Sequence, residues 1–263
     1  MKKSFTGKCK ICGKRTDLTF EHVPPEKAFN SEPVFEYPVE EAIKTITGTD
    51  GRMPWDFSGL KGRINQRGGG AYYLCSECNN NTGSWYIAEY VRLTKIIDNI
   101  IKDKVLVPKE EYGLLIDRFY PLRVFKAIMM MFCDINFDCF GDEQLRRYIL
   151  NKESKEINLD KYSVYTYLVG RGMRREASYA VSIQSNNIMV GFSEIANYPL
   201  GVTLYIDKPD SYEPMGLCIN DFASCNYDEE RGACVLGIPY IEINSIMPND
   251  FRTRNEFTRN RNE

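Results

Sequence analysis

Two stretches decide the fold of this chain, Cys9-Lys10-Ile11-Cys12-Gly13 and Cys75-Ser76-Glu77-Cys78. Each is a CxxC pair, which places two thiolates on one tight turn, and two such turns supply the four soft ligands of a closed tetrahedral zinc site. Gly13 fits the first turn because glycine adopts a left-handed backbone without steric cost. Four unrelated buried cysteines are the alternative, but they do not account for the repeated spacing. The sequence therefore predicts a structural zinc ion bound by Cys9, Cys12, Cys75 and Cys78.

The composition limits the classes of protein that remain. The chain has 263 residues, 43% of them hydrophobic, with nine cysteines, one histidine and a formal net charge of −2. This content excludes a mainly disordered chain, and the charge excludes a protein that coats nucleic acid by bulk attraction. The start has no apolar stretch of a secretory signal, and no apolar run is long enough to span a bilayer. We expect a soluble, cytoplasmic protein without membrane contacts, in which the cysteines are not a disulfide framework.

Local patterns divide the chain into three parts and predict an α+β fold. Residues 1–83 are rich in turn signals, and from Ser84, as N-cap, apolar residues recur at helical spacing for about twenty residues. Two further helices are predicted at 122–132 and 142–152. Five strands are predicted at 163–169, 179–183, 188–192, 202–206 and 240–243. We expect an N-terminal module with its long helix over 1–106, a helical connector over 107–157 and a mainly β C-terminal domain over 158–263.

The zinc cysteines enclose the only histidine of the chain. It lies in Phe20-Glu21-His22-Val23-Pro24-Pro25, and Asn79-Asn80-Asn81-Thr82-Gly83 follows the second pair directly, with Gly83 as a predicted helix stop. Glu21 and Asn79 offer hard oxygen ligands that suit Mg²⁺. His22 suits a general base, because an imidazole exchanges a proton near neutral pH. Neighbouring strand residues point in opposite directions, so both Glu21 and His22 reach one site only if the backbone bends, as Pro24-Pro25 favours.

These motifs resemble the HNH endonucleases with a zinc-bound treble-clef core, including the endonuclease VII-like group. The resemblance covers about the first 85 residues and rests on Cys9, Cys12, Glu21, His22, Pro25, Leu74, Cys75, Cys78, Asn79 and Gly83. It implies a ββα-metal fold in which two strands carry Glu21 and His22 and a helix carries Asn79. It further implies that His22 is the general base, that Glu21 and Asn79 hold a catalytic Mg²⁺ or Mn²⁺, and that the four cysteines bind zinc.

Three features depart from the family pattern. Glu21 stands where the family more often has Asp, which moves the carboxylate outward by one methylene group. The middle Asn of the family falls near Gly70 and is missing there, and Asn65 can replace it only if the loop is rearranged. The long interval between His22 and Cys75 predicts an insertion around 31–60. The role of the middle Asn therefore stays open at this point.

The charge distribution indicates where a nucleic acid would bind. Residues 1–106 carry a net charge of +3 and the remainder −5, which concentrates the positive field on the proposed nuclease end. The residues predicted to contact nucleic acid are Lys10, Lys14, Lys61, Arg63 and Arg67. We expect DNA as the substrate, with RNA as the alternative, and a regulatory protein or ligand at the C-terminal domain.

The sequence therefore predicts a divalent-metal-dependent HNH endonuclease that hydrolyses phosphodiester bonds. By analogy alone, a nuclease of bacterial defence or of a mobile element is suggested. The rival class is a zinc treble clef that has lost catalysis and only binds nucleic acid or protein. The missing middle Asn favours that rival. A structural protein whose zinc only folds it is the third class.

Overall fold

A computed structural model describes residues 5–37, 40–41, 43, 52–172, 174–183 and 187–259. Part of the insertion predicted at 31–60 lies outside these residues. The chain has a mixed α+β fold, as the sequence predicts, and its large sheet is mainly antiparallel. Within the described residues, no helix is both long enough and apolar enough to cross a membrane.

The N-terminal part forms a three-stranded antiparallel sheet in the order β1-β2-β5. Its strands are β1 (Phe5–Lys8), β2 (Arg15–His22) and β5 (Gly70–Cys75). A separate two-stranded ribbon joins β3 (Val34–Glu36) to β4 (Arg63–Asn65). The turn between β1 and β2 requires Gly13, whose φ is +72°. A bulge shifts the β2–β5 register between Thr19 and Phe20.

A long helical segment follows β5 without a linker. It consists of α1 (Ser76–Thr82), one π-helical turn (Gly83–Ile87) and α2 (Ala88–Ile101). The predictions that Gly83 ends a helix and that Ser84 begins one are therefore wrong. Gly83 has ordinary right-handed helical angles, φ −58° and ψ −45°, and packing of Tyr86 and Tyr90 in the core carries the helix onward.

The segment 107–157, predicted as a helical connector, contains two helices and also a strand. The strand is β6 (Glu111–Ile116), and the helices are α3 (Pro121–Ile135) and α4 (Glu143–Leu150), with a 3₁₀ turn at Asp138–Gly141 between them. Pro121 lies in the first turn of α3, where its missing N–H costs nothing. The Asp142 side chain caps α4 by accepting hydrogen bonds from the Gln144 and Leu145 amides.

The C-terminal part forms a seven-stranded sheet that also takes in β6. The strands are β7 (Tyr162–Val169), β8 (Arg175–Ile183), β9 (Met189–Ala196), β10 (Leu200–Ile206), β11 (Leu217–Cys218) and β12 (Cys234–Ile241). Their order is β6-β12-β7-β10-β9-β8, with β11 paired to β7. Among the described strands, β12 and β7 alone pair in parallel. A 3₁₀ turn at Asn220–Ser224 and a short helix, α5 (Arg254–Arg259), complete the described elements.

Helix α3 joins the two sheets through one core. Nearly all its residues are buried, including the run Met129-Met130-Met131, and the same apolar cluster extends from Cys9 and Leu74 to Leu204 and Ile238. We call the side of the N-terminal sheet that α3 and α1 cover its inner face. The opposite side of that sheet is its outer face.

Candidate active site

The four cysteines of the two CxxC pairs meet at one point. Their sulfur atoms all lie within 4.8 Å of one another, and the Sγ atoms of Cys12 and Cys75 are 3.8 Å apart. Cys75 ends β5 and caps α1, because its sulfur accepts the backbone N–H of Cys78 at 3.4 Å. Cys9 and Gly13 close the first turn with a backbone hydrogen bond of 3.0 Å. The sequence prediction that these four residues share one site is confirmed.

This cluster fits a metal ion such as zinc. In a tetrahedral site with Zn–S distances of about 2.3 Å, neighbouring sulfurs lie about 3.8 Å apart, and all nine cysteines of the chain are free thiols. A hydrogen bond with the Cys78 thiol lowers the pKa of Cys9 to about 4. The same hydrogen bond raises the pKa of Cys78. A bound cation would displace the thiol protons of the cluster, because the thiolate is the form that binds a metal.

Glu21 and Asn79 meet on the inner face of the N-terminal sheet. Glu21 comes from β2 and Asn79 from the first turns of α1, and both contact the Thr19 hydroxyl. Thr19 Oγ1 donates to Glu21 Oε1 at 2.7 Å and accepts from Asn79 Nδ2 at 3.2 Å. Burial raises the pKa of Glu21, and the Thr19 hydrogen bond opposes that rise. One carboxylate and one amide are therefore held together beside a hydroxyl.

His22 leaves β2 on the outer face. Its ring lies edge-on to Phe20, with centroids 5.1 Å apart, whereas Glu21 between them contacts Thr19 on the inner face. Its Nε2 lies 2.7 Å from the Arg67 backbone oxygen. A carbonyl oxygen only accepts hydrogen bonds, so Nε2 carries the proton and the neutral ring has its acceptor lone pair on Nδ1. The structure therefore fixes the ring but does not bring it to the Thr19 hydroxyl that Glu21 and Asn79 share.

Asn30 joins the chain after His22 to the loop before β5, and sequence reasoning missed it. Its side chain is fully buried. Asn30 Nδ2 donates to the backbone oxygens of Pro24 and Gly69 at 2.6 and 2.8 Å, and Asn30 Oδ1 accepts the Gly69 amide at 2.8 Å. Gly68, with φ +76°, passes so close to Asn30 that a Cβ would clash at 2.1 Å. The run Gly68-Gly69-Gly70 was the one sequence signal of this close approach.

Asn65 binds the Arg67 amide and Glu36. Its Oδ1 accepts the Arg67 amide at 3.2 Å, and its Nδ2 donates to Glu36 at 3.1 Å. The same turn presents the Arg67 oxygen to His22. Asn65 therefore affects His22 only indirectly, by holding the Arg67 backbone. The residue that ties the ends of β2 and β5 together is Asn30.

A second carboxylate lies behind this site. Asp134 of α3 is 1% exposed, and neither of its oxygens has a hydrogen-bond partner among the described residues. Burial, followed by the nearby charge of Glu21, raises the pKa of Asp134 far above its usual value. The core therefore holds an acid that has no hydrogen-bond partner within the described part of the chain, and no sequence motif predicted its burial.

The predicted nucleic-acid contacts are spread over the N-terminal part. Lys14 lies 3.8 Å from Glu77, Arg63 lies 3.0 Å from Glu36, and the Lys10 ammonium lies 5.8 Å from the Phe137 ring centroid. Lys61 and Arg67 are exposed. Exposed ion pairs contribute little energy and exchange readily, so all five cations remain accessible to a phosphate. Among the contacts of the described residues, Arg67 alone of the five reaches His22, through its backbone oxygen.

Comparison with known proteins adds no relative. No family model matches the chain, and no curated protein and no solved structure matches it. The functional interpretation therefore depends on this chain's own geometry, namely the four-cysteine cluster and the pairing of Glu21 with Asn79. The cysteine cluster supports a metal site.

Proposed function

We propose that this chain is a divalent-metal-dependent HNH endonuclease that hydrolyses phosphodiester bonds in DNA. The four cysteines hold structural zinc, and the β2–β5 pair with α1 forms a treble-clef ββα-metal module. One observation carries the proposal. Glu21 and Asn79 meet at Thr19 Oγ1, one residue away from an imidazole whose Nε2 is held by the Arg67 carbonyl.

His22 is the general base in this proposal. Its Nε2–H stays on the Arg67 carbonyl, and Nδ1 takes a proton from the attacking water. The water oxygen bonds to phosphorus while the bond from phosphorus to the 3′ oxygen breaks with its electron pair. The departing oxygen takes a proton from solvent. Asn65 and Asn30 keep the Arg67 loop and the end of β2 in place for this transfer.

Glu21 and Asn79 are the residues that hold Mg²⁺ or Mn²⁺ in this proposal. Their oxygen atoms are the ligand type these ions prefer, and the Glu21 carboxylate is already partly desolvated. When bound, the cation neutralises charge on the phosphate. Thr19 orients both side chains through its hydroxyl, which keeps them together before a substrate arrives.

A plasmid nicking assay tests the ligand assignment. Zinc-loaded wild type with Mg²⁺ or Mn²⁺ is expected to nick supercoiled DNA, and Glu21→Gln and Asn79→Ala are expected to nick at least about 100-fold more slowly. Asn80→Ala is the matched control, since Asn80 is exposed on the same helix. Nicking that persists in EDTA, or equal rates for Asn79→Ala and Asn80→Ala, would contradict the proposal.

A zinc treble clef without catalysis is the second candidate function. The observation that favours it is the separation of His22 from Glu21 and Asn79 by the plane of β2. Catalysis would require the phosphate to lie across the end of β2, where it could reach His22 on one face and Glu21 and Asn79 on the other. A binding module has no such requirement. DNA binding by wild type without metal-dependent nicking would select this candidate.

A further inference from the structure

The outer face of the N-terminal sheet carries a continuous row of aromatic rings. Phe5 of β1 stacks on Tyr72 of β5 with centroids 5.4 Å apart and planes inclined by 27°. Phe20 of β2 lies edge-on to Tyr72 at 5.5 Å and to His22 at 5.1 Å. The row therefore crosses three strands and ends on the imidazole of the proposed general base.

This row is open to solvent. Phe5 is 54% exposed and Tyr72 is 38% exposed. Single exposed apolar residues are common on proteins, but a contiguous apolar patch marks an interaction site. Its rings are held by contact with one another, so little side-chain freedom remains to be lost when a flat ligand stacks on them.

The three strands place no carboxylate on the outer face. The only carboxylates of β1, β2 and β5 are Asp17 and Glu21. Asp17 accepts a hydrogen bond from Thr6 at 2.7 Å, and Glu21 contacts Thr19. Asp17 and Glu21 alternate along β2 with Leu18, Phe20 and His22. Both carboxylates therefore lie on the inner face. An anionic ligand therefore meets no acidic side chain of these strands on the aromatic row.

Arg67 lies at the His22 end of the row. The Arg67 side chain is exposed, and its backbone oxygen holds the His22 ring. Within the described part of the chain, no carboxylate lies within ion-pair distance of its guanidinium. The row thus offers flat apolar surfaces for bases, and the residue that holds its His22 end carries an exposed positive side chain.

We propose that this outer face binds unpaired bases of single-stranded DNA, which stack on Phe5 and Tyr72 and lead the strand to His22. The inference rests on the proposed function for the position of His22 at the reacting phosphate. Duplex DNA hides the flat faces of its bases within its own stack, so an aromatic row gains nothing from it, whereas every unpaired base offers a face. The substrate class is therefore DNA with a single-stranded segment.

Equilibrium binding in EDTA tests the inference without cleavage. The probe is a fluorescein-labelled 20-nucleotide oligothymidylate, compared with a duplex of 20 base pairs by fluorescence anisotropy at low salt. Wild type is expected to bind the single strand more tightly. Tyr72→Ala is expected to weaken that binding about 5- to 150-fold, the range that one lost base–aromatic stack produces. Tyr72→Phe, which keeps the ring, is expected to bind as wild type does.

Tyr179→Ala is the matched control. Tyr179 is also an exposed strand tyrosine, 51% exposed, but it lies on β8 of the other sheet. Zinc content and thermal unfolding verify that each variant is folded. If Tyr72→Ala does not fold, Phe5→Ala carries the same expectation, because Phe5 lies on the short strand β1.

Three outcomes would overturn the inference. They are equal or tighter binding of the duplex, equal affinities for Tyr72→Ala and Tyr179→Ala, and tighter binding of oligouridylate, which would assign the face to RNA. Metal-dependent plasmid nicking is measured separately. Nicking without single-strand preference rejects this inference alone, whereas single-strand binding without nicking rejects the proposed catalysis alone.

Discussion

The two sheets of the molecule stabilise themselves by different means. The N-terminal sheet has strands of four, eight and six residues, and its interior is built around Cys9, Cys75 and Cys78. The C-terminal sheet buries six of the seven residues of β10 and holds a buried ion pair between Arg175 and Glu194. We therefore expect the N-terminal sheet to depend on a metal ion held by its cysteines, and the C-terminal sheet to depend on apolar packing and the Arg175–Glu194 pair.

Removal of the metal is expected to have the largest effect. Cys75→Ser, or a zinc chelator, is expected to unfold the N-terminal sheet, because a structural zinc ion contributes on the order of 10 kcal/mol to folding. Zinc analysis and far-UV circular dichroism measure the change. Cys218→Ser is the control, since Cys218 is exposed and lies outside the cluster. A folded Cys75→Ser protein with wild-type stability would contradict this contrast between the sheets.

Breaking the charge pair of the C-terminal sheet is expected to have the next largest effect. Arg175 Nη2 donates to Glu194 Oε1 at 2.7 Å, and Arg175 Nη1 donates to the backbone oxygens of Ser245 and Met247. Glu194→Gln leaves the guanidinium buried without its counter-charge, which costs about 3–5 kcal/mol. Urea unfolding measures the loss, and zinc content is expected to stay at about one ion per chain. A loss below about 1 kcal/mol would show that the pair is not needed.

Asn30→Ala is expected to have a smaller effect, confined to the N-terminal part. It leaves the Gly69 amide and the Pro24 oxygen without their partner, at a cost of about 1–3 kcal/mol. Because Asn30 holds the loop that presents the Arg67 oxygen, nicking is also expected to slow while zinc stays bound. Thermal unfolding and the plasmid assay measure the two effects. Unchanged values of both would remove Asn30 from the site.

Asp134→Asn is expected to stabilise the protein by on the order of 1 kcal/mol at pH 7. The raised folded-state pKa means that the native state binds a proton that the unfolded state has already lost, so stability falls as pH rises above the unfolded pKa. The amide removes that dependence. Thermal unfolding at pH 4 and pH 7 is expected to show a larger gain at pH 7. A gain that does not grow with pH would contradict the buried, unpaired acid.

Features that depend on neighbouring residues were predictable from the sequence. The CxxC spacing located all four sulfurs, and the apolar runs located β7 and α3. Both signals are local, since a tight turn or a strand needs only a few consecutive residues to specify it. The grouping of Glu21 with Asn79 followed from the cysteines, because Cys75 and Cys78 fix the start of α1 beside β2.

Features that depend on distant partners were not predictable. Asn30 bonds Gly69 across 39 residues, and nothing around Asn30 distinguishes it from a surface amide. The prediction that Gly83 ends a helix was wrong, because burial of the Tyr86 and Tyr90 rings outweighs the low helix propensity of one glycine. The sequence also did not foresee that β6 joins the C-terminal sheet, since its partner β12 lies more than a hundred residues away.

The role of His22 as the general base is tested most directly by His22→Gln. Glutamine can donate to the Arg67 carbonyl as the imidazole does, but it cannot take a proton from water. With equal zinc content and Mg²⁺ or Mn²⁺ in excess, the account predicts that wild type nicks supercoiled plasmid and that His22→Gln is slower by about 100-fold or more. Equal nicking rates for the two proteins would contradict it.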